Sequence, residues 1–205
     1  MNLPNTLTLS RIFLVPLLVA ALFSTRIPNH ELYATAIFLA AALTDLFDGY
    51  FARRRRQVTT LGVLLDPIAD KLLISAAFIS LVQVEPIWVP AWMVVIIVGR
   101  EFAVSGLRGI AATQGFAIAA NELGKAKTVI QVLAITVIIL GHRYGEITIA
   151  GVHVNLQLLG WIGLWLVVIL ALLSAFSYFR KFWQRVDASV KRQREPAGLA
   201  NVEPS

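Results

Sequence analysis

Cysteine is absent from this 205-residue chain, which rules out thiolate metal sites, and histidine is confined to His30, His142 and His153. No Ser or Cys has a neighbouring His that would make it a nucleophile, and there is neither a P-loop nor a dinucleotide-binding glycine fingerprint. Charge is scarce too, at 15% of residues where a soluble domain carries about 25%. No internal repeat is visible. What fills the chain is apolar: 58% hydrophobic residues and a mean hydropathy of +0.74 indicate a polytopic membrane protein.

Stretches long enough to cross a hydrocarbon core of about 30 Å lie near residues 9–25, 32–52, 63–84, 88–110, 126–142 and 157–179. They predict an all-α integral membrane fold of six transmembrane helices. The first stretch lacks the basic start and the cleavage site of a secretory signal, so it is expected to be retained. Residues 1–182 are expected to form the transmembrane domain and 183–205 a polar cytoplasmic tail. Phe182 and Trp183 would anchor at the interface, and the chain would fray beyond about Lys191. The connection from Arg143 to Asn155 alternates polar and apolar residues as a short hairpin does.

Basic residues set the orientation. Arg53 to Arg56, then Arg108, Lys125 and Lys127, and a C-terminal group from Arg180 to Arg194 occupy the even connections and the tail, against only Arg26 and Arg143 in the odd connections. The positive-inside rule then puts both termini in the cytoplasm of a multi-pass cytoplasmic (inner) membrane protein. The net charge of +6 falls on one face, beside anionic headgroups; the expected partners are the bilayer and phosphate-bearing substrates, not nucleic acid. The three histidines fall in outer connections and are expected to be solvated.

Against this background four acids stand out. Asp45, Asp48, Gly49 and Ala52 follow helical i, i+3, i+4, i+7 spacing and share one stripe. Gly62, Asp66 and Asp70 lie one turn apart on the next helix. An intramembrane carboxylate is costly without a wet cavity, a partner or a metal. Two such stripes face to face would have to hold protons or cations, and hard oxygen donors without His or Cys suit Mg²⁺ or Mn²⁺. The small residues allow a ligand or another backbone to approach. Asp66 before Pro67 is also an ordinary helix start, but that does not account for Asp70 or for the acids opposite.

Elsewhere, Asn5, Thr8 and Arg11 lie partly on one side of a helix beginning soon after Pro4, and all can bind phosphate or a pyrimidine edge. In isolation a capping segment with one snorkelling Arg accounts for them equally. Arg100 sits about 12 Å inward of Arg108 along a helix and needs a partner, while Glu101 is placed to serve Arg108 seven residues on. Lys125 and Lys127 begin the fifth span, where the helix dipole disfavours cations and an anion between them would relieve the conflict.

The string Asp-x2-Asp-Gly-x2-Ala-Arg-x8-Gly-x3-Asp-x3-Asp, complete from Asp45 to Asp70, resembles the signature of the CDP-alcohol phosphatidyltransferase family. The entry segment from Pro4 to Arg11 resembles that family's Pro-Asn-x2-Thr-x2-Arg block. The segments around Arg100–Arg108 and Gly124–Gln131 resemble blocks of its phosphatidylglycerophosphate-forming branch. The resemblance implies two divalent cations held by Asp45, Asp48, Asp66 and Asp70, with Asp70 as the base. It implies a CDP site made by Asn5, Thr8, Arg11, Gly49, Ala52, Arg53 and Gly62, and an acceptor-phosphate site made by Arg100, Arg108, Lys125 and Lys127. It further implies CDP-diacylglycerol and glycerol 3-phosphate as substrates, a polar cavity facing the cytoplasm, and a homodimer. Two other functions fit the chain less well, the first because of the cations from Arg100 to Lys127 and the second because the acids lie near one face. A cardiolipin synthase of the same signature would need fewer cations for a lipid acceptor. A divalent-cation carrier would place its site near the midplane between repeated halves.

Overall fold

The computed structural model describes the backbone of residues 3–55, 60–113, 122–149 and 151–199, and the side chains of 8–44, 68–113, 126–148 and 151–186. Within these, the helices are α1 (Leu3–Phe23), α2 (His30–Arg55), α3 (Thr60–Val84), α4 (Ala91–Thr113), α5 (Glu122–Tyr144) and α6 (Leu156–Leu199). A hairpin of β1 (Glu146–Ile149) and β2 (Val152–Asn155) joins the last two, as the alternation there predicts. Helices are the natural solution for such apolar segments, because every backbone N–H and C=O must find its partner inside the chain.

The helix ends are set by local chemistry. Asn29 takes a left-handed conformation (φ 62°), and its carbonyl accepts the amides of Leu32 and Tyr33. Pro90 stands just before α4, where its missing N–H costs nothing, and its carbonyl receives the Met93 amide at 3.0 Å. Gly145, at φ +60°, closes α5 with its amide bonded to the Gly141 carbonyl at 2.9 Å. In the hairpin Glu146 pairs with Asn155 and Ile149 with Val152, the turn using Gly151 at φ +82°. The side-chain oxygen of Asn155 then caps α6 by accepting the Leu158 amide at 2.9 Å.

One difference from expectation concerns α6, which continues to Leu199 and does not stop near residue 179. The stretch from Arg180 to Glu195 is rich in Arg, Lys and Gln, which are good helix formers. The apolar run therefore marks the part suited to lipid, not the length of the helix.

Packing places α1 against α2 and α3, α5 against α6 and α2, and α4 against α6 and α3. Each helix sends a fully buried side chain to one core: Leu18, Phe38, Phe78, Met93, Ile135 and Leu164. Small residues bring α5 and α6 together. A Cβ on Gly160 would lie 2.6 Å from Ile138 Cγ1, and one on Gly163 would lie 3.2 Å from Ala134 Cβ. The outward faces carry Phe13, Ile79, Val95, Leu133 and Phe176, each more than half exposed, which suits contact with acyl chains. Among the described residues, α5 over Ala126–Tyr144 and α6 over Leu156–Val186 are long and apolar enough to cross a membrane, while Thr8–Phe23 and His30–Thr44 are shorter apolar stretches.

At the end of the bundle where α1 meets α2 and α3 meets α4, the histidines are engaged and not simply solvated. His142 in the last turn of α5 bonds Glu85 at the end of α3. His30 reaches the Ala21 carbonyl at 3.1 Å and lies 3.4 Å from Glu31, whose other oxygen is 3.5 Å from Arg143. His153 contacts Thr148 across the hairpin at 3.1 Å. Nearby carboxylates and the close helix ends, invisible to local sequence, account for the difference in the first two.

The α5–α6 contact predicts that Gly160→Ala costs about 1–3 kcal/mol of stability by overpacking against Ile138. Gly109→Ala, whose added methyl meets nothing within 4 Å, is the control and should leave stability unchanged or slightly raised. Thermal unfolding of the detergent-solubilised protein measures both.

Candidate active site

Asp70 lies in the third turn of α3, partly exposed, and lines two adjoining depressions. The first is an almost wholly apolar groove between α2, α3 and α5, formed by Leu39, Ala42, Leu43, Leu73, Val129 and Leu133 among others. The second is smaller and polar, bounded by Lys71, Ile74, Glu101, Thr128 and Gln131. The carboxylate of Asp70 thus stands where a greasy surface meets a charged one.

Around the polar depression the cations form a connected group. Lys71 is within the electrostatic reach of Asp70 and Arg108, and Lys127 within that of Arg100, Asp70 and Lys71. Lys127, only 2% exposed, forms an ion pair with Glu101 across the α4–α5 gap. Arg100 shares the same carboxylate oxygen at 3.2 Å. Burial of these groups away from bulk water makes such pairing obligatory, since a lone buried charge costs several kcal/mol.

The expected partnership of Glu101 with Arg108 is therefore corrected: Glu101 serves Arg100 and Lys127. Seven-residue spacing on one helix put Glu101 and Arg108 on a common face, but the tertiary neighbour on α5 takes the carboxylate. Arg108 turns instead to Tyr178 of α6, donating to its hydroxyl and stacking its guanidinium carbon 4.9 Å from the ring centroid. One turn earlier on α6, the Ser174 hydroxyl receives the other end of Arg100. Ser174 and Tyr178 are the buried polar side chains on the inner stripe of an otherwise apolar span. Two hydroxyls at i, i+4 spacing inside a long apolar run are the available signal in the sequence.

Of the residues expected to hold the nucleotide, Thr8 and Arg11 are both within the interior, at 1% and 0% exposure. Such burial excludes a snorkelling role for Arg11, whose charge belongs to the inside of the bundle. Asn5 belongs to α1, Gly49, Ala52 and Arg53 to the last turns of α2, Gly62 to the start of α3 and Lys125 to the start of α5. Asp45 and Asp48 likewise belong to the end of α2, and Asp66 to α3 one turn before Asp70. The side chains of these nine residues lie outside the described ones. Lys71, beside Asp70, is a further polar lining residue that pattern reading passed over, because the motif ends one position before it.

Residues 1–173 match the CDP-alcohol phosphatidyltransferase family. The chain belongs to that family, as the signature from Asp45 to Asp70 indicates. Among its relatives is the CDP-diacylglycerol--glycerol-3-phosphate 3-phosphatidyltransferase of Bacillus subtilis (strain 168), 39% identical over 199 residues covering 92% of this chain and 98% of the relative. The protein of the same description from Rickettsia bellii (strain RML369-C) is 36% identical over 180 residues, covering 87% and 94%. A cardiolipin synthase (CMP-forming) of Oryza sativa subsp. japonica is also 36% identical, over 90% of this chain but 58% of its own length.

The ion pair predicts a stability phenotype separable from chemistry. Glu101→Ala strands Lys127 in the interior and should cost about 3–5 kcal/mol. Adding Lys127→Met to that variant should recover much of the loss, as read by unfolding in detergent.

Proposed function

We propose that this chain transfers the phosphatidyl group of CDP-diacylglycerol to the hydroxyl of glycerol 3-phosphate, forming phosphatidylglycerophosphate and releasing CMP. The observation that supports this most directly is the position of Asp70 on the boundary between an apolar groove and a small polar depression, beside which Lys127 and Arg100 are held by Glu101. A lipid-tethered diphosphate and a small anionic alcohol must meet at such a boundary. The names of the relatives from Bacillus subtilis and Rickettsia bellii point to the same donor and acceptor.

In this mechanism the acceptor's phosphate is drawn to Arg100, Arg108, Lys125 and Lys127, with the first two steadied by Ser174 and Tyr178. Their positive charge orients the acceptor hydroxyl, converting an encounter in solution into a positioned attack. Asp70 accepts the hydroxyl proton as the oxygen attacks the phosphorus bearing the diacylglycerol. The bond from that phosphorus to the CMP oxygen breaks, and CMP leaves with the electron pair. Asn5, Thr8, Arg11, Gly49, Ala52, Arg53 and Gly62 hold the cytidine diphosphate, the glycines and alanine by leaving room.

An all-oxygen donor set of Asp45, Asp48, Asp66 and Asp70 fits Mg²⁺ or Mn²⁺, and Asp70 lies beside the cavity such ions would serve. Two bound ions would neutralise the diphosphate. The proposed setting is the cytoplasmic membrane, with six transmembrane helices, both termini cytoplasmic, the cavity open to that side, the polar tail beginning near residue 183 and the chain assembled as a homodimer.

Cardiolipin synthesis is the second reading, because the rice relative bears that name. The density of cations around Glu101 suits a phosphomonoester acceptor better than a bulky lipid. Purified protein given labelled CDP-diacylglycerol should release CMP with glycerol 3-phosphate and not with phosphatidylglycerol; the reverse pattern would transfer the assignment to the cardiolipin reaction. Asp70→Asn should lower turnover by at least about a hundredfold while retaining CDP-diacylglycerol binding, and wild-type turnover in that variant would remove Asp70 as the base.

A further inference from the structure

One polar group around the depression is not used by the mechanism above. Gln131 of α5 is 2% exposed, and its Nε2 has no hydrogen-bond partner among the described residues. Its side chain lines the same depression as Asp70, Lys71, Glu101 and Thr128. A buried amide donor left without an acceptor is unfavourable, and native interiors rarely keep one unless something else supplies the acceptor. Gln131 lies one helical turn after Lys127, on the same face of α5, so the amide and the ammonium point to the same side of the helix.

We propose that the Gln131 amide donates a hydrogen bond to the anionic acceptor, to an oxygen of its phosphate, and so belongs to the acceptor-binding site alongside Lys127. The inference deepens the proposed reading of that cavity and rests on it. A neutral donor has a distinct use here. Lys71, Lys127, Arg100 and Arg108 already crowd positive charge into one region, and a further cation would add repulsion in the empty site. An amide adds a directional contact without adding charge. It also favours a ligand rich in acceptor oxygens, such as a phosphomonoester, over one presenting only hydroxyls.

The test uses the purified full-length enzyme in detergent with CDP-diacylglycerol and glycerol 3-phosphate. Gln131→Met keeps length and volume but removes the donor, and Gln131→Glu keeps the shape while placing a carboxylate where the amide was. We expect the KM for glycerol 3-phosphate to rise about tenfold in Gln131→Met and further in Gln131→Glu, with the KM for CDP-diacylglycerol within about twofold of wild type. Stabilisation of the protein by added glycerol 3-phosphate, read as a thermal shift without turnover, should weaken in the same order. Lys127→Met is run in parallel. If it raises the acceptor KM while both Gln131 variants leave it unchanged, Gln131 is a structural amide and the inference fails alone. If neither Lys127→Met nor the Gln131 variants affect the acceptor KM, the acceptor site has been misplaced and both readings fall. An equal rise in both KM values for Gln131→Met would likewise overturn the inference, because it would show a general loss of packing.

Discussion

Compensation of buried charge in an apolar setting is the constraint on which the rest of this structure depends. Lys127 and Arg100 can stay within the bundle because Glu101 neutralises part of their charge, and the guanidinium of Arg100 finds a second partner in Ser174. Apart from the Arg100–Glu101 pair within α4, these contacts join different helices: Glu101 ties α4 to α5 through Lys127, while Ser174 and Tyr178 tie α6 to α4. The polar groups that form the site are therefore also the groups that hold its walls together. In surroundings where lipid competes equally for apolar faces, such contacts specify the arrangement of helices more sharply than apolar packing alone.

The two ends of the bundle are built differently. At one, Glu31 contacts both His30 and Arg143 and Glu85 contacts His142, which links α5 to α2 and α3. At the other, Lys71, Lys127, Arg100 and Arg108 gather near Asp70 and Glu101.

Much of this was legible from residue order. Apolar runs predict the six helices to within a few residues at most boundaries, and the alternating stretch after Arg143 predicts the hairpin. The signature from Asp45 to Asp70 points to the family that the comparison establishes. Partner choice was less accessible. Glu101 prefers Lys127 on another helix to Arg108 on its own, and nothing in local spacing encodes that preference. Ser174 and Tyr178 look like incidental hydroxyls in an apolar span until α4 is packed against them. The run beyond Phe179 shows a further reason for divergence: hydropathy locates what lipid accepts, whereas helix propensity decides where the helix stops.

The late position of α6 in the chain has a consequence for biosynthesis. Arg100 and Arg108 emerge on α4 long before Ser174 and Tyr178 have been translated, so during insertion Arg108 and the end of Arg100 not held by Glu101 must be accommodated by headgroups, water or the insertion machinery. Only when the hairpin has folded α6 back against α5 and α4 do these arginines acquire their final partners. Docking of α6 and the final fixing of these two guanidiniums are thereby the same event, and a chain truncated before residue 174 would carry the motif acids without the hydroxyls that hold Arg100 and Arg108.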